Sequence, residues 1–159
     1  MKHYGLKSLL CAAAVLLFAC TAQAQGQTPP AGKKYRAYLV SNAHFDTQWR
    51  WDVQRSIDEF LLNTLDQNFR LLEDYPDYLI NFEGAVKYAW AKEYYPERYE
   101  RLKKYVAEGR WHLTGSTWDA TDPNVPSAES FFRNVLLGQE FFKSEFGRKA
   151  TDIFLPDCF

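Results

Sequence analysis

The chain has 159 residues, of which 47% are hydrophobic and 17% aromatic, and a formal net charge of −1. That is enough apolar material for one packed domain or for part of a larger one. A charge so near zero, with no basic patch, excludes an electrostatic case for a nucleic-acid or membrane-surface partner.

The N-terminus reads as an address. Lys2 and Lys7 precede an apolar run over 9–18 that is too short to span a bilayer, and Ala22-Gln23-Ala24 is a small-x-small cleavage site. Residues 1–24 are therefore expected to be a signal peptide, and the protein to be exported to a periplasm or the extracellular space. A lipoprotein-type box, Leu17-Phe18-Ala19-Cys20, offers the alternative of a lipid anchor on Cys20. With Cys11 and Cys20 in the leader, only Cys158 remains, so no internal disulfide is expected. Residues 25–34, with two Pro and two Gly and no periodicity, read as a flexible linker.

The apolar run 35–41 predicts a first strand, buried on both faces. Ser56-Ile57-Asp58-Glu59 has the capping-box pattern, and Ile57, Phe60, Leu61, Leu65, Phe69 and Leu72 then share one helical stripe. Pro76 marks the exit. Residues 78–82 predict a second strand, ending at Glu83-Gly84. Residues 85–107 are helical in pattern with a break at Tyr95-Pro96, where proline suits the first turn of a new helix. Gly109 is a natural stop, and 111–114 a short third strand. After a polar loop, Ser127 caps a helix whose face is Phe131, Val135, Gln139, Phe142 and Phe146. Residues 152–155 predict a fourth strand, stopped by Pro156.

This β-α-β-α-β-α-β order predicts an α/β fold with a parallel, barrel-like sheet, incomplete at four βα units. No helix follows the last strand, so the chain is expected to be the N-terminal part of a longer protein. Sites in such folds lie at the carboxyl ends of the strands. An acidic residue follows every predicted strand: Asp46 with His44, then Glu83, then Asp119 and Asp122, then Asp157. Carboxylates gathered at one edge repel one another unless a cation or protons neutralise them, and His44 makes a divalent metal ion the more economical account. Each residue also has a plainer reading. Glu83 and Asp157 can oppose helix dipoles or cap, Asp122 belongs to ordinary turn chemistry, and Trp49 and Trp51 can be core aromatics. His112 reads as structural and Cys158 as a small buried hydrophobe.

The segment Asn42-Ala43-His44-Phe45-Asp46-Thr47-Gln48-Trp49 resembles the opening motif of family 38 glycoside hydrolases, the retaining α-mannosidases, written His-x-Asp-x-x-Trp after the first strand. Gly109-Arg110-Trp111 with Gly115, Trp118 and Asp122 is similar to a second block, although its spacing is irregular. Leu155-Pro156-Asp157-Cys158-Phe159 is similar to the nucleophile motif. The likeness covers residues 36–159. It implies His44, Asp46 and Asp157 as ligands of one Zn²⁺, Asp157 also as catalytic nucleophile, and Trp49 and Phe159 as walls of the sugar subsite. The implied partner is a mannose-containing glycan. The family's acid/base aspartate and last metal-binding histidine have no counterpart in residues 36–159, so this stretch alone is expected to be inactive. A metal-dependent polysaccharide deacetylase and a non-catalytic glycan-binding domain are the competing readings.

Overall fold

The computed structural model describes residues 34–158. The chain divides into two compact units between Tyr38 and Leu39. The described part of the first, residues 34–38, has neither helix nor strand. The expected signal peptide, almost all of the expected linker, and Phe159 lie outside the described residues. Among the described residues, every helix and strand belongs to the second unit.

Helix α1 is a continuous run in three parts: α-helical at Val53–Arg55, π-helical at Ser56–Leu61, and α-helical again at Leu62–Asp74. It starts earlier than the capping box suggests. Asp52 is the N-cap, its carboxylate accepting from the Arg55 amide at 2.9 Å. Ser56 lies inside the helix, fully buried, with its hydroxyl turned to other work. Within the π-helical stretch the Ile57 carbonyl accepts from the Tyr95 hydroxyl at 3.0 Å. Of the predicted stripe, Phe60 is half-buried and Ile57, Leu61, Leu65, Phe69 and Leu72 are buried. Each such side chain contributes about 1.5–3 kcal/mol through its removal from water.

Strand β1 (Ile80–Glu83) comes next, then α2 (Ala85–Tyr94), α3 (Pro96–Ala107) and β2 (Trp111–Thr114). The two strands pair in parallel, Ile80 with Trp111 through Glu83 with Thr114. The parallel sense is the one predicted, with two helices making the crossover. Pro96 opens α3 at its first turn, and Gly109 leaves the helix at φ 74°, as read from the sequence. Trp111 is fully buried, its indole N–H donating to the Tyr88 hydroxyl at 3.1 Å, which donates on to the Phe82 carbonyl at 2.8 Å. Burial pushes Tyr88 well above the usual phenol range, so the hydroxyl stays a donor. Helix α4 (Ala128–Phe146) is capped by Ser127, which accepts from the Ser130 amide, and is closed by left-handed Gly147.

Two predicted strands are not formed. Residues 35–41 carry no ladder, and Tyr38, Leu39 and Val40 are exposed by 78%, 96% and 76% rather than buried. Only the stretch just after them touches the sheet. Asn42 makes an isolated parallel bridge with Asn81, the Asn81 amide donates to Ser41 O at 3.0 Å, and the Ala43 amide donates to Asn81 O at 3.3 Å. The neighbouring Ile80 amide donates to Arg110 O on the β2 side, so β1 lies between the 41–43 segment and β2. Residues 152–155 likewise form no ladder. Asp152 binds the exit of β2 by its side chain and carbonyl instead: the Gly115 amide donates to its carboxylate at 3.0 Å, and the Ser116 hydroxyl donates to its carbonyl. Among the described residues the architecture is thus mixed α/β around a small parallel sheet of two strands.

Candidate functional site

The pairing of residues 41–43 with β1 sets where His44 emerges. The side-chain amide of Asn81 donates a further bond to Ser41 O at 2.9 Å, so the segment is tied to β1 by backbone and side chain together. Two residues later the chain reaches the carboxyl end of β1, and the His44 ring stands beside Glu83. The Nδ1 atom of His44 is 2.7 Å from Glu83 Oε1. On the opposite side of the ring, Nε2 lies 3.7 Å from Asp46 Oδ1 and 3.6 Å from Asp157 Oδ2. One donor atom from each of His44, Asp46 and Asp157 falls within 4.8 Å of the others. Phe154 meets the imidazole edge-on, with the ring centroids 6.1 Å apart.

These separations test whether an ion fits. The 3.6 and 3.7 Å gaps exceed the 2.7–3.2 Å range of N–H···O hydrogen bonds. Ligands held at 2.0–2.1 Å around a tetrahedral ion stand about 3.3 Å from one another. The imidazole nitrogen therefore stands close to that spacing from each of the two carboxylate oxygens, and the donor set suits a small divalent cation. The three side chains are 29%, 42% and 63% exposed, so the triad opens to solvent on its carboxylate side.

A network of loop contacts shapes the surroundings. The buried Ser56 hydroxyl donates to Thr47 O at 2.7 Å and accepts from the Trp51 indole at 2.8 Å, which fastens the 46–51 loop to α1. Thr47 Oγ1 donates to Asp119 Oδ2 at 2.6 Å, joining that loop to the one after β2. Asn134 of α4 splices the second loop: it accepts from the Asp119 amide at 3.0 Å and donates to the Asp119 carbonyl at 2.9 Å. Between the loops is an open cleft of about 260 Å³, lined by Asp46, Thr47, Gln48, Asp119, Ala120, Thr121, Asp122, Pro156 and Asp157. Its four carboxylates make it suited to a cation or a polyhydroxylated ligand. Trp49 is 64% exposed, edge-on to Trp51 at 5.9 Å and with the Arg50 guanidinium 4.5 Å from its ring centre. It is a surface aromatic and not a core residue.

The structure thus brings together His44, Asp46 and Asp157, which lie up to 113 positions apart in sequence. Asp122 joins the same cleft, whereas Phe159 lies outside the described residues. Two features are not evident from the sequence alone. Glu83 reads there as one more strand-end acid, yet its carboxylate reaches the far side of the His44 ring. Lys87, 1% exposed, donates to the same Glu83 oxygen at 2.6 Å. The available signal is a lysine between Val86 and Tyr88 at the start of α2, four residues after a glutamate.

A histidine and two aspartates meet near the carboxyl end of β1, beside an acidic cleft, as a group that could hold a metal ion on an α/β frame. The family model described as "Glycosyl hydrolases family 38 N-terminal domain" matches residues 34–159. Alpha-mannosidase G of Dictyostelium discoideum is 40% identical over 124 residues, which are 78% of this chain and 11% of that protein. The Alpha-mannosidase of Saccharomyces cerevisiae is 30% identical over 123 residues, 77% of this chain and 11% of the relative. Human Alpha-mannosidase 2C1 is 29% identical over 126 residues, 79% and 12% respectively. The chain belongs to glycosyl hydrolase family 38, in its N-terminal domain. It spans only 11–12% of the length of these curated relatives.

Proposed function

We propose that the protein carrying this chain hydrolyses α-mannosidic bonds in glycans with retention of configuration, assisted by one Zn²⁺. The convergence of His44 Nε2 with the Asp46 and Asp157 carboxylates, within 4.8 Å, carries this reading. His44, Asp46 and Asp157 hold the ion. Bound there, the ion supplies electrostatic stabilisation and a template for vicinal sugar hydroxyls. An axial hydroxyl at carbon 2 separates mannose from glucose, so such a template also selects the sugar. Asp157 is the nucleophile that forms the covalent glycosyl-enzyme, and a second carboxyl about 5 Å away acts as acid and then base. Asp157, the most exposed of the three, is placed to reach a sugar in the cleft. Trp49 offers an exposed apolar face for the sugar ring.

The two βα-type units seen here, with the 41–43 segment beside β1, form the start of a barrel-like parallel sheet in this reading. The leader read at 1–24 directs the protein to a periplasm or the extracellular space. No helix among the described residues is long and apolar enough to cross a membrane.

The test uses the intact protein and an aryl α-mannoside. Release of mannose that is lost in chelator, and lost again in an Asp157→Ala protein of unchanged circular dichroism, is the expected result. Release of acetate alone from acetylated sugars replaces the reading with a deacetylase. Sugar binding without turnover replaces it with a glycan-binding domain.

A further inference from the structure

We propose that Glu83, backed by Lys87, is the positioning residue of the ion site, fixing the His44 ring so that Nε2 faces Asp46 and Asp157. The inference rests on the metal reading above. His44 sits on a segment without regular structure, whose backbone is anchored on either side, through Ser41–Ala43 and through Asp46–Thr47. Left to itself, such an imidazole rotates and has two tautomers to choose from. The 2.7 Å contact with Glu83 Oε1 removes both freedoms. A carboxylate oxygen accepts, so Nδ1 carries the proton, and the lone pair is left on Nε2. Nε2 is the nitrogen that points at the two aspartates.

Glu83 is itself immobile. It ends β1, paired with Thr114, and its side chain is 2% exposed. Lys87, one turn along in the chain, donates to the same Oε1 at 2.6 Å from a side chain 1% exposed. The Lys87 ammonium is boxed by aromatic faces, 4.5 Å from the Phe45 ring centre and 5.5 Å from that of Phe82. On the β2 side, a Cβ built on Gly115 would stand 2.9 Å from Glu83 Cβ, so the exit of β2 presses directly on the carboxylate's stem. Glu83 Oε2 is buried without a hydrogen-bond partner. The orientation of the carboxylate is therefore set by the two donors on Oε1, Lys87 and His44.

Packing does not account for this arrangement. An apolar pair of similar volume would fill the space at equal or better stability, because desolvating two charges offsets their attraction. What an apolar pair would not supply is an acceptor for Nδ1. An outer carboxylate on the second nitrogen is how ligating imidazoles are held, and losing it weakens metal binding 10–100-fold.

The experiment measures Zn²⁺ and Co²⁺ affinity of the intact protein, by competition against a chromophoric chelator, together with the visible spectrum of the Co²⁺ form. Three variants are compared. Glu83→Leu/Lys87→Met removes acceptor and buried cation together. Glu83→Gln/Lys87→Met keeps an acceptor. Glu83→Asp keeps both charges but withdraws the carboxylate by about 1.5 Å, one carbon–carbon bond. The first and third should bind about 10–100-fold more weakly with an altered cobalt spectrum, and the second should return to within several-fold of the parent. If the Leu/Met protein does not fold, the Asp variant decides by the same measurements. Parent-like affinity and spectrum in a folded Leu/Met or Asp protein overturn the assignment. A parent that takes up no ion overturns the metal reading itself, and the inference with it.

Discussion

Gly138 is a point, one turn beyond Asn134, at which helix α4 touches the loop behind the site, and replacing it with alanine gives a sharp test of that contact. A Cβ at this position would lie 2.6 Å from the carbonyl oxygens of both Ser116 and Thr117, and closer still to the Thr117 carbonyl carbon. Ordinary carbon contacts begin near 3.5 Å, so helix and loop must separate by about 1 Å. The obstacle is backbone and has no rotamer to yield. Forced overpacking costs about 1–3 kcal/mol, and a rigid backbone obstacle this close puts the site in the upper part of that range, about 2–3 kcal/mol. Alanine in a helix interior recovers about 1 kcal/mol over glycine. The net expectation is a loss of about 1–2 kcal/mol, which is roughly a five- to thirtyfold rise in the open population. The same separation strains the Asn134 bonds to Asp119, and through Asp119 the Thr47 contact. Hydrogen exchange read by mass spectrometry on peptides covering 115–120 and 130–145 reports this locally, whatever the size of the protein. Gly138→Ala should speed exchange in both peptides by that factor. Unchanged or slower exchange, the result that helix propensity alone dictates, would refute the close approach.

Lys87→Met leaves Glu83 buried without its cation and should cost about 3–5 kcal/mol, seen as a much lower denaturation midpoint. Ser56→Ala removes the group that holds both the Trp51 indole and the Thr47 carbonyl; it should cost about 1–3 kcal/mol and alter tryptophan emission as Trp51 is released. Arg98 forks onto Asp66 with bonds of 2.8 and 3.1 Å, and the Arg98 hydrogen bond holds the Asp66 carboxyl below its ordinary range. A value lower in the folded state adds stability above the unfolded value and loses it as pH falls through the folded one. Both side chains are more than a third exposed, so Arg98→Met should cost under about 1 kcal/mol at neutral pH, and less at an acidic pH below the ordinary carboxylate range. Midpoints measured at the two pH values check the difference.

The helices are legible in the sequence because their signals are local. The stripe from Ile57 to Leu72, the proline at 96 and the glycines at 109 and 147 each act within a turn or two of chain. The strands at 78–82 and 111–114 are legible for the same reason, and their parallel sense comes from the helices between them. Tyr38-Leu39-Val40 shows where such reading stops. An apolar run states a preference for burial, but a ladder also needs a partner edge, and in the structure only residues 41–43 reach one. Asp152 illustrates the same point, since its polar atoms bind the Gly115-Ser116 turn in place of a strand. In the site, the strand-end rule singles out His44, Asp46 and Asp157, although the strands it assumes before them, at 35–41 and 152–155, are not formed. It gives no means of telling that Glu83 faces the back of His44, because that depends on the register between the 41–43 segment and β1. Ser56 is misplaced by its pattern because a capping box and a buried hydroxyl use the same residue, and Asp52 four positions earlier takes the cap.

The π-helical stretch in α1 acts as a length gauge for the motif loop. Such a turn holds one more residue than an α-helical path between the same two ends. Downstream, residues 62–74 are locked by the burial of Leu65, Phe69 and Leu72. Upstream, Ser56 grips the loop that carries Asp46. Winding these same residues as a regular α-helix, with the downstream packing kept in register, would turn everything before them by about 100° around the helix axis. Ser56 would then lose hold of Thr47, and Asp46 would swing away from the imidazole it faces. The surplus residue is a spacer, and it sets the angle at which the loop is presented to the end of the sheet.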